Sequence, residues 1–354
     1  MENMAEISQE VPATPAPVES NPQAHPRSLG LDIFRGATIV VMMFVNFVDP
    51  YNAIPWWSKH IYPSPSNIYG VGLSYVDIVA PFFIFAIAMS YHQSYRRSLE
   101  KQGPVETFLK FIRRYFALLG IGLIYNFEFV GYNIYFDWAA LPSIGIAGLF
   151  TFIFIRFRRK ARLVIALGLI VAYQILLQWQ VNVNGTEITV ALWNTDNTHG
   201  GIIGAFGFGI LMILGTVVAE SFEKQRMKDF IWFGIIFTAS GIATNFLLFP
   251  GISKHVVSVS YIIISLGLAC FALYFAWYLY DSLKFTKGSS KFLQPIGKNS
   301  LFLYILSGLF EVVGNALLPP DAQLIWVLLV AAVLIVLLWL TGFYMDKKKV
   351  YLIL

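Results

Sequence analysis

Residues 27–47 read RSLGLDIFRGATIVVMMFVNF, an apolar stretch long enough to cross a bilayer as a helix. The stretch nevertheless contains an acid, a base and an amide, Asp32, Arg35 and Asn46. Ionisable side chains at membrane depth are costly, so they usually face the protein interior and mark a functional site. At about 100° per residue these three side chains share one helix face. The stretch therefore predicts a membrane helix with one polar, functional face.

The composition of the whole chain agrees with a membrane environment. Of its 354 residues, 57% are hydrophobic and only 13% are charged, whereas soluble domains carry roughly 25% charged residues. The single cysteine, Cys270, excludes an intramolecular disulfide and a cysteine-based metal cluster. We expect no metal cofactor, and the distribution of the cations excludes nucleic acid as the partner that the net charge of +5 suggests.

Apolar runs of about 20 residues predict an all-α, polytopic helical bundle of about ten transmembrane helices. Their approximate ranges are 28–48, 74–92, 111–129, 138–155, 162–180, 200–219, 230–249, 256–280, 292–311 and 322–345.

Lysine and arginine concentrate in alternate connections between these runs. The connections after the second, fourth, sixth and eighth runs, with the two ends of the chain, hold 21 of the 25 cations. Because cytoplasmic loops are enriched in Lys and Arg, both termini are expected in the cytoplasm. Residues 1–26, rich in Pro, Glu, Ala and Ser, are predicted to be a disordered cytoplasmic tail, and residues 27–354 a single transmembrane domain. We expect a multi-pass protein of the cytoplasmic (plasma) membrane, surrounded by its lipid bilayer.

The first extracytoplasmic connection, about 49–73, is rich in aromatic residues and contains His60. Its aromatic side chains suit a membrane-interface belt or a sugar-stacking surface. An imidazole is substantially neutral at pH 7, so His60 is a candidate general base, although a lone loop histidine is often structural. Asp77 either orients this imidazole or caps the second helix. Four other histidines compete with His60: His25, His92, His199 and His255.

Several motifs recur in one order along the chain. They are Arg27-x-x-x-Leu31-Asp32-x-Phe34-Arg35-Gly36, Val45-Asn46, His60, Asp77-x-x-x-Pro81-Phe82-Phe83-x-Phe85, the segments 196–200 and 254–261, and Gly297-Lys298-Asn299-Ser300-Leu301 with Tyr304. This order resembles the transmembrane acyltransferase family typified by heparan-α-glucosaminide N-acetyltransferase. The resemblance implies transfer of an acetyl group from cytoplasmic acetyl-CoA to an amino sugar or related glycan on the far side. It also implies that His60 is the catalytic histidine and that Asn46 assists it.

The fourth run departs from that family. It reads Leu141-Pro142-Ser143-Ile144-Gly145 where family members often have Leu-Gln-Arg-Ile, so an intramembrane cation is missing. The phosphates of CoA need cations or amide donors, and the candidates near the cytoplasmic side are Arg35, Arg113, Arg114 and Lys298. Arg113 and Arg114 also suit simple anchors at a helix end.

Three further residues are candidates for the CoA site. Asp32, three positions before Arg35, either shares this site or forms a purely structural ion pair with that arginine. Asn299 and Ser300 begin a helix, where free amide groups receive a phosphate or a side chain simply caps the helix. Arg35 and Asn46 are separated by about 16 Å along a helix, so a donor held at Arg35 would reach outward along the polar face.

A transporter or flippase of a sugar or lipid-linked metabolite is the alternative function. Many spans, a polar face and helices interrupted by Gly and Pro also describe secondary transporters. Against it, no paired repeat is evident and the histidine candidate lies outside the membrane midplane. The identity of the acceptor, the acyl chain and the choice between a monomer and a homodimer stay open.

Overall fold

The computed structural model describes residues 28–130, 133–136, 138–183, 185–286 and 288–351, so the predicted tail lies outside the described residues. The described part is mainly helical. Its α-helices, in chain order, are α1 (Leu29–Val48), α2 (Val79–Tyr125), α3 (Ala140–Phe154), α4 (Arg159–Gln178), α5 (Val190–Asn194), α6 (Gly201–Glu223), α7 (Lys228–Leu247), α8 (Val259–Trp277), α9 (Ser289–Lys298), α10 (Ser300–Leu317) and α11 (Leu324–Lys347). A 3-10 turn occupies Trp56–Ser58, and a π-helical turn at Tyr278–Ser282 extends α8.

Seven helices of the described part are long and apolar enough to cross a membrane. These are α1, α4, α6, α7, α8 with its π-helical extension, α10 and α11. The prediction of a helical, multi-pass membrane protein therefore agrees with the fold.

Helix α2 contains both the second and the third predicted span. It breaks at Gly103, whose φ of 78° lies in the left-handed region that glycine adopts at no steric cost, and Pro104 follows. The halves fold back on each other: the Tyr91 and Tyr115 rings stack 5.4 Å apart, and the Tyr95 and Phe111 rings lie 5.8 Å apart. Both pairs are centred on Gly103, so α2 is an antiparallel helical hairpin.

Several predicted boundaries are wrong. The second span begins at Val79 rather than 74, because the preceding residues form a turn. Two short antiparallel hairpins replace the ends of the third and fifth spans, β1 (Phe127–Val130) with β2 (Asn133–Phe136) and β3 (Gln180–Val183) with β4 (Thr186–Thr189).

The predicted span 292–311 is divided at Asn299 into α9 and α10. Helix α9 packs on α1 through two glycines. A side chain at Gly297 would collide with the carbonyl of Asp32, and one at Gly36 would collide with the carbonyl of Leu293. This close approach places the C-terminal end of α9 beside the N-terminal half of α1.

Three helices form the centre of the described bundle. In α6, 83% of the most apolar 18-residue stretch is buried. The same stretch is also mostly buried in α1 and α8, whereas only 17% of it is buried in α7. Helices α7, α10 and α11 therefore present most of their apolar surface outward, as lipid-facing helices do. Polar residues of α1 thus lie in the interior of the bundle.

Candidate active site

His60 and Asp77 form a hydrogen-bonded pair beside the N-terminus of α2. The Nδ1 atom of His60 lies 2.8 Å from Oδ1 of Asp77. The other carboxylate oxygen, Oδ2, accepts hydrogen bonds from the Ser74 backbone N–H (3.1 Å) and hydroxyl (2.9 Å). Asp77 does not cap α2, whose N-cap is Ile78 without a side-chain hydrogen bond. The carboxylate instead orients the imidazole and leaves its Nε2 atom available for chemistry.

Asp49, directly after α1, holds the loop that carries His60. Its Oδ1 accepts a hydrogen bond from the backbone N–H of His60 (2.9 Å), and its Oδ2 accepts one from the Tyr62 hydroxyl (2.7 Å). Asp49, at the C-terminal end of α1, therefore fixes both the backbone of His60 and the neighbouring Tyr62 ring. Asp49 was not a sequence candidate, although its place three residues after Asn46 on the polar face was a usable signal.

Lys254 brings a buried cation to the same carboxylate. Its Nζ lies 3.6 Å from Oδ1 of Asp77 and 5.6 Å from the centre of the Tyr62 ring, and the residue is only 3% exposed. The Tyr261 hydroxyl donates to the backbone carbonyl of Asp77 (2.6 Å). Lys254 was not predicted as a site residue, although it begins the motif segment 254–261 and is one of few cations in the predicted extracytoplasmic connections.

The electrostatics of this cluster favour an ionised Asp77 and neutral neighbouring histidines. Burial alone would raise the pKa of Asp77, but the His60 hydrogen bond and the Lys254 charge outweigh burial and lower it. Burial and Lys254 lower the pKa of His255 to about 4, and the same causes hold the pKa of His199 well below its usual value. His60, by contrast, has a carboxylate oxygen of Asp77 directly on its ring Nδ1.

Asn46 is half-buried on α1. Among the described residues, no hydrogen bond joins Asn46 to His60. The structure therefore brings His60 and Asp77 together and leaves Asn46 as a separate polar group on the same helix as Asp49.

A second feature is a cavity of about 370 Å³ lined by both arms of the α2 hairpin, which we call the inner cavity. Four of the predicted cationic or polar residues line it: Arg35, Arg114, Lys298 and Ser300. Arg35 Nη2 donates to the Ala86 carbonyl (3.2 Å) and the Ser90 hydroxyl (3.0 Å). Arg35 is the residue of α1 that lines this cavity.

The predicted CoA-site residues differ in how they meet this cavity. Lys298 lines it, but its ammonium donates to both carboxylate oxygens of Asp346, each at 2.9 Å. Asp32 lies 3.6 Å from Arg35 and lines an adjacent cavity of about 260 Å³, which Arg35 also lines. Asn299 is buried at the N-cap of α10, where it makes no side-chain cap, and does not line the inner cavity.

Arg114 is the cation best placed to bind an anion in the inner cavity. Within the described part of the chain no hydrogen bond or ion pair holds its guanidinium, its Nε is buried, and it lies 5.6 Å from the Tyr115 ring. Arg113, its neighbour, is exposed and does not line the inner cavity, although both arginines line a separate pocket of about 420 Å³. Arg113 thus suits a simple anchor at a helix end, whereas Arg114 lines the inner cavity.

The inner cavity extends along α2 toward the His60–Asp77 pair. Its lining on this helix runs from Ser94 to Phe83, about 16 Å along the helix axis. Phe83 is four residues, about 6 Å, from Val79 where α2 begins. Ile144, next to the position of the missing family arginine, also lines the cavity. The inner cavity thus lies along the first arm of α2, and the His60–Asp77 pair lies just before the start of that arm.

These features define a helical membrane protein with a buried His–Asp pair at one end of its bundle. Residues 27–195 are similar to the family described as Domain of unknown function (DUF5009), whose model matches this part of the chain. The match contains α1 to α5, with His60 and Asp77, and ends before Lys254. No curated protein matches the chain.

Proposed function

We propose that the protein is a membrane acyltransferase that moves an acetyl group from cytoplasmic acetyl-CoA to an amino sugar or a related glycan or glycolipid on the extracytoplasmic side. In this proposal the chain crosses the plasma membrane ten times and both termini are cytoplasmic, in agreement with the cation distribution. The observation that carries the proposal is the inner cavity, which bears cations at one end and approaches the His60–Asp77 pair at the other.

The residues of the inner cavity suit the charged end of CoA. Phosphates bind best to guanidinium groups and oriented donors in a partly dehydrated site. Arg114 and Arg35 supply two guanidinium groups on the same cavity as Ile144, so they compensate for the cation that the fourth span lacks. Lys298 contributes less, because a phosphate has to compete with Asp346 for its ammonium.

The shape of the cavity suits the narrow arm that carries the thioester. From the cationic end, the arm extends about 16 Å past Ser90 and Ile87 to Phe83, whose ring stacks 5.9 Å from that of Tyr304. The thioester then lies within about two helical turns of the His60 ring. Acyl transfer needs no movement of the whole donor across the membrane in this arrangement.

His60 is the general base of the proposed reaction. Its Nε2 accepts a proton as the acceptor amine or hydroxyl attacks the thioester carbonyl, and a bond to the carbonyl carbon forms. The carbon–sulfur bond then breaks, and the imidazolium returns the proton to the CoA thiolate. Asp77 keeps the Nδ1 proton in place and stabilises the imidazolium, as in other histidine–carboxylate pairs. A positioned base of this kind contributes typically about 10²–10⁴ in rate.

Incubating the purified protein in lipid nanodiscs with radiolabelled acetyl-CoA and a set of amino sugars tests the proposal. We expect a labelled acceptor with the wild type and none with His60→Ala. His92→Ala is the matched control, because His92 pairs with Glu223 (3.1 Å) and lies 13 residues, about 20 Å, along α2 from Val79. Turnover by His60→Ala would refute the role of this residue. Transport of labelled sugar into vesicles without an acetylated product would instead support the transporter alternative.

A further inference from the structure

An apolar groove of about 400 Å³ runs between α1, α2, α8 and α9, separate from the inner cavity. Its lining is almost wholly hydrocarbon, with Phe34 and Val41 from α1, Phe82 from α2 and Phe275 from α8 among its residues. The groove and the inner cavity share no lining residue, and on α1 the adjacent Phe34 and Arg35 face the groove and the cavity respectively. The groove is therefore not a continuation of the proposed donor site.

The few hydroxyl groups of the groove all have protein partners. At one end the Tyr75 hydroxyl lies 2.5 Å from the Ser58 hydroxyl, and at the other the Tyr280 hydroxyl lies 2.7 Å from the Ser289 hydroxyl. Between them, the Thr38 hydroxyl donates to the Phe34 carbonyl (2.8 Å). The groove thus offers an apolar surface between two tyrosines, which is the polarity profile of a lipid-facing site.

One end of the groove adjoins the candidate active site. Tyr75 and Ile78, which line this end, lie on either side of Asp77 in the sequence. From there the groove follows α1 from Val41 to Ile33, about 12 Å along the helix axis. A chain lying in it would run from the membrane interior to the neighbourhood of the carboxylate that orients His60.

We infer that this groove holds the hydrocarbon tail of a lipid-linked acceptor, whose amine or hydroxyl head lies at His60. The inference rests on the proposed function and names the class of acceptor. Within a bilayer a groove of this polarity is covered by lipid chains, and its continuity with the segment carrying Asp77 distinguishes it from an ordinary lipid contact. Docking the tail there also places the head group at the aromatic connection near Trp57, whose ring lies 6.3 Å from that of Tyr75.

Photolabelling tests occupancy without any need for turnover. The probe is an amine-headed phospholipid, phosphatidylethanolamine, with a diazirine in its tail, incorporated into nanodiscs. We expect crosslinks to map to the peptide containing residues 33–41, to fall at least fivefold in Ala272→Trp, which fills the groove, and to persist in Ala332→Trp, which adds the same ring to an exposed position on α11. Equal labelling of Ala272→Trp and wild type would overturn the inference.

Acetyl transfer tests whether the bound tail belongs to the acceptor. Ala272→Trp should lower kcat/KM at least tenfold for a long-tailed amine lipid and leave it within about twofold for a water-soluble amine with the same head group. An equal loss for both acceptors would overturn the inference while leaving the acyltransferase function intact. Labelling of the groove without transfer to any acceptor by the wild type would refute the acyltransferase function and leave only a lipid-binding groove.

Discussion

Replacing Asp77 by Asn tests the proposed mechanism more sharply than removing the histidine. The Ser74 backbone N–H and hydroxyl both donate to Oδ2 of Asp77, so this position requires an acceptor. An asparagine therefore places its carbonyl oxygen at Oδ2 and its NH₂ group at Oδ1, toward His60 Nδ1 and the Lys254 ammonium. The imidazole Nδ1 then has to accept a hydrogen bond.

This change moves the imidazole proton to the wrong nitrogen. With Nδ1 accepting, the proton of the neutral ring is on Nε2, which can no longer take a proton from the acceptor. The amide also fails to stabilise the imidazolium. Positioned base catalysis is worth about 10²–10⁴ in rate, so we expect kcat/KM of Asp77→Asn to fall by about this factor, with little change in the KM for acetyl-CoA.

The assay is acetyl transfer by purified protein in nanodiscs over a range of pH, with monodispersity and thermal unfolding measured on the same samples. Asp229→Asn is the control, because Asp229 lies far along the chain on a predicted cytoplasmic connection and pairs only with the exposed Arg226 and with Ser221 among the described residues. A folded Asp77→Asn protein that retains more than about a third of the wild-type rate would refute the tautomer argument and the assignment of His60 as base.

Three further predictions concern the inner cavity and the outer histidines. Arg114→Gln should raise the KM for acetyl-CoA about tenfold or more, since it removes a charged donor, whereas Arg113→Gln, on the exposed neighbour, should change it less than about twofold in the same assay. Asp346→Asn should lower the KM for acetyl-CoA severalfold by releasing the Lys298 ammonium, and an unchanged or raised KM would place the donor elsewhere. The protein should unfold at a lower temperature as the pH falls from 7 to 5. Folding lowers the pKa of His255 to about 4, so between about pH 6.5 and 4 the unfolded chain binds more protons than the folded one. The share of the unfolding free energy that depends on His255 therefore falls by about 2 kcal/mol at pH 5. His255→Asn should flatten that dependence, and an equally steep dependence in this variant would contradict it.

Much of this architecture was predictable because membrane helices obey a simple rule. The bilayer demands long apolar segments, so α1, α6, α8 and α11 fall within or near the predicted runs. The cost of burying charge likewise identified Arg35, which the structure places against an internal cavity. The pairing of His60 with Asp77 was predictable because only 17 positions separate them and both lie on the same predicted side of the membrane.

The contacts that sequence reasoning missed join segments far apart in the chain. Lys254 meets Asp77 across 177 positions, and no local periodicity encodes such a pairing. Arg114 resembled its neighbour Arg113 in sequence, and only the folded structure shows that Arg114 lines the inner cavity and Arg113 does not. The start of a helix at Ser300 was predicted, but the separate helix α9 before it was not, because the close approach of α9 to α1 is a tertiary effect.

The hydrogen bond from the Tyr261 hydroxyl to the Asp77 carbonyl bears on the biogenesis of the protein. A nascent chain inserts its helices roughly in order, so His60 and Asp77 reach the membrane long before the ribosome has made Lys254 and Tyr261. Until α8 is inserted, the Asp77 carboxylate lacks its cation and its backbone lacks this donor. The surroundings of the His60–Asp77 pair are therefore completed late in translation, and a truncated product that ends before α8 would carry the histidine and its acid without the surroundings that keep that acid ionised.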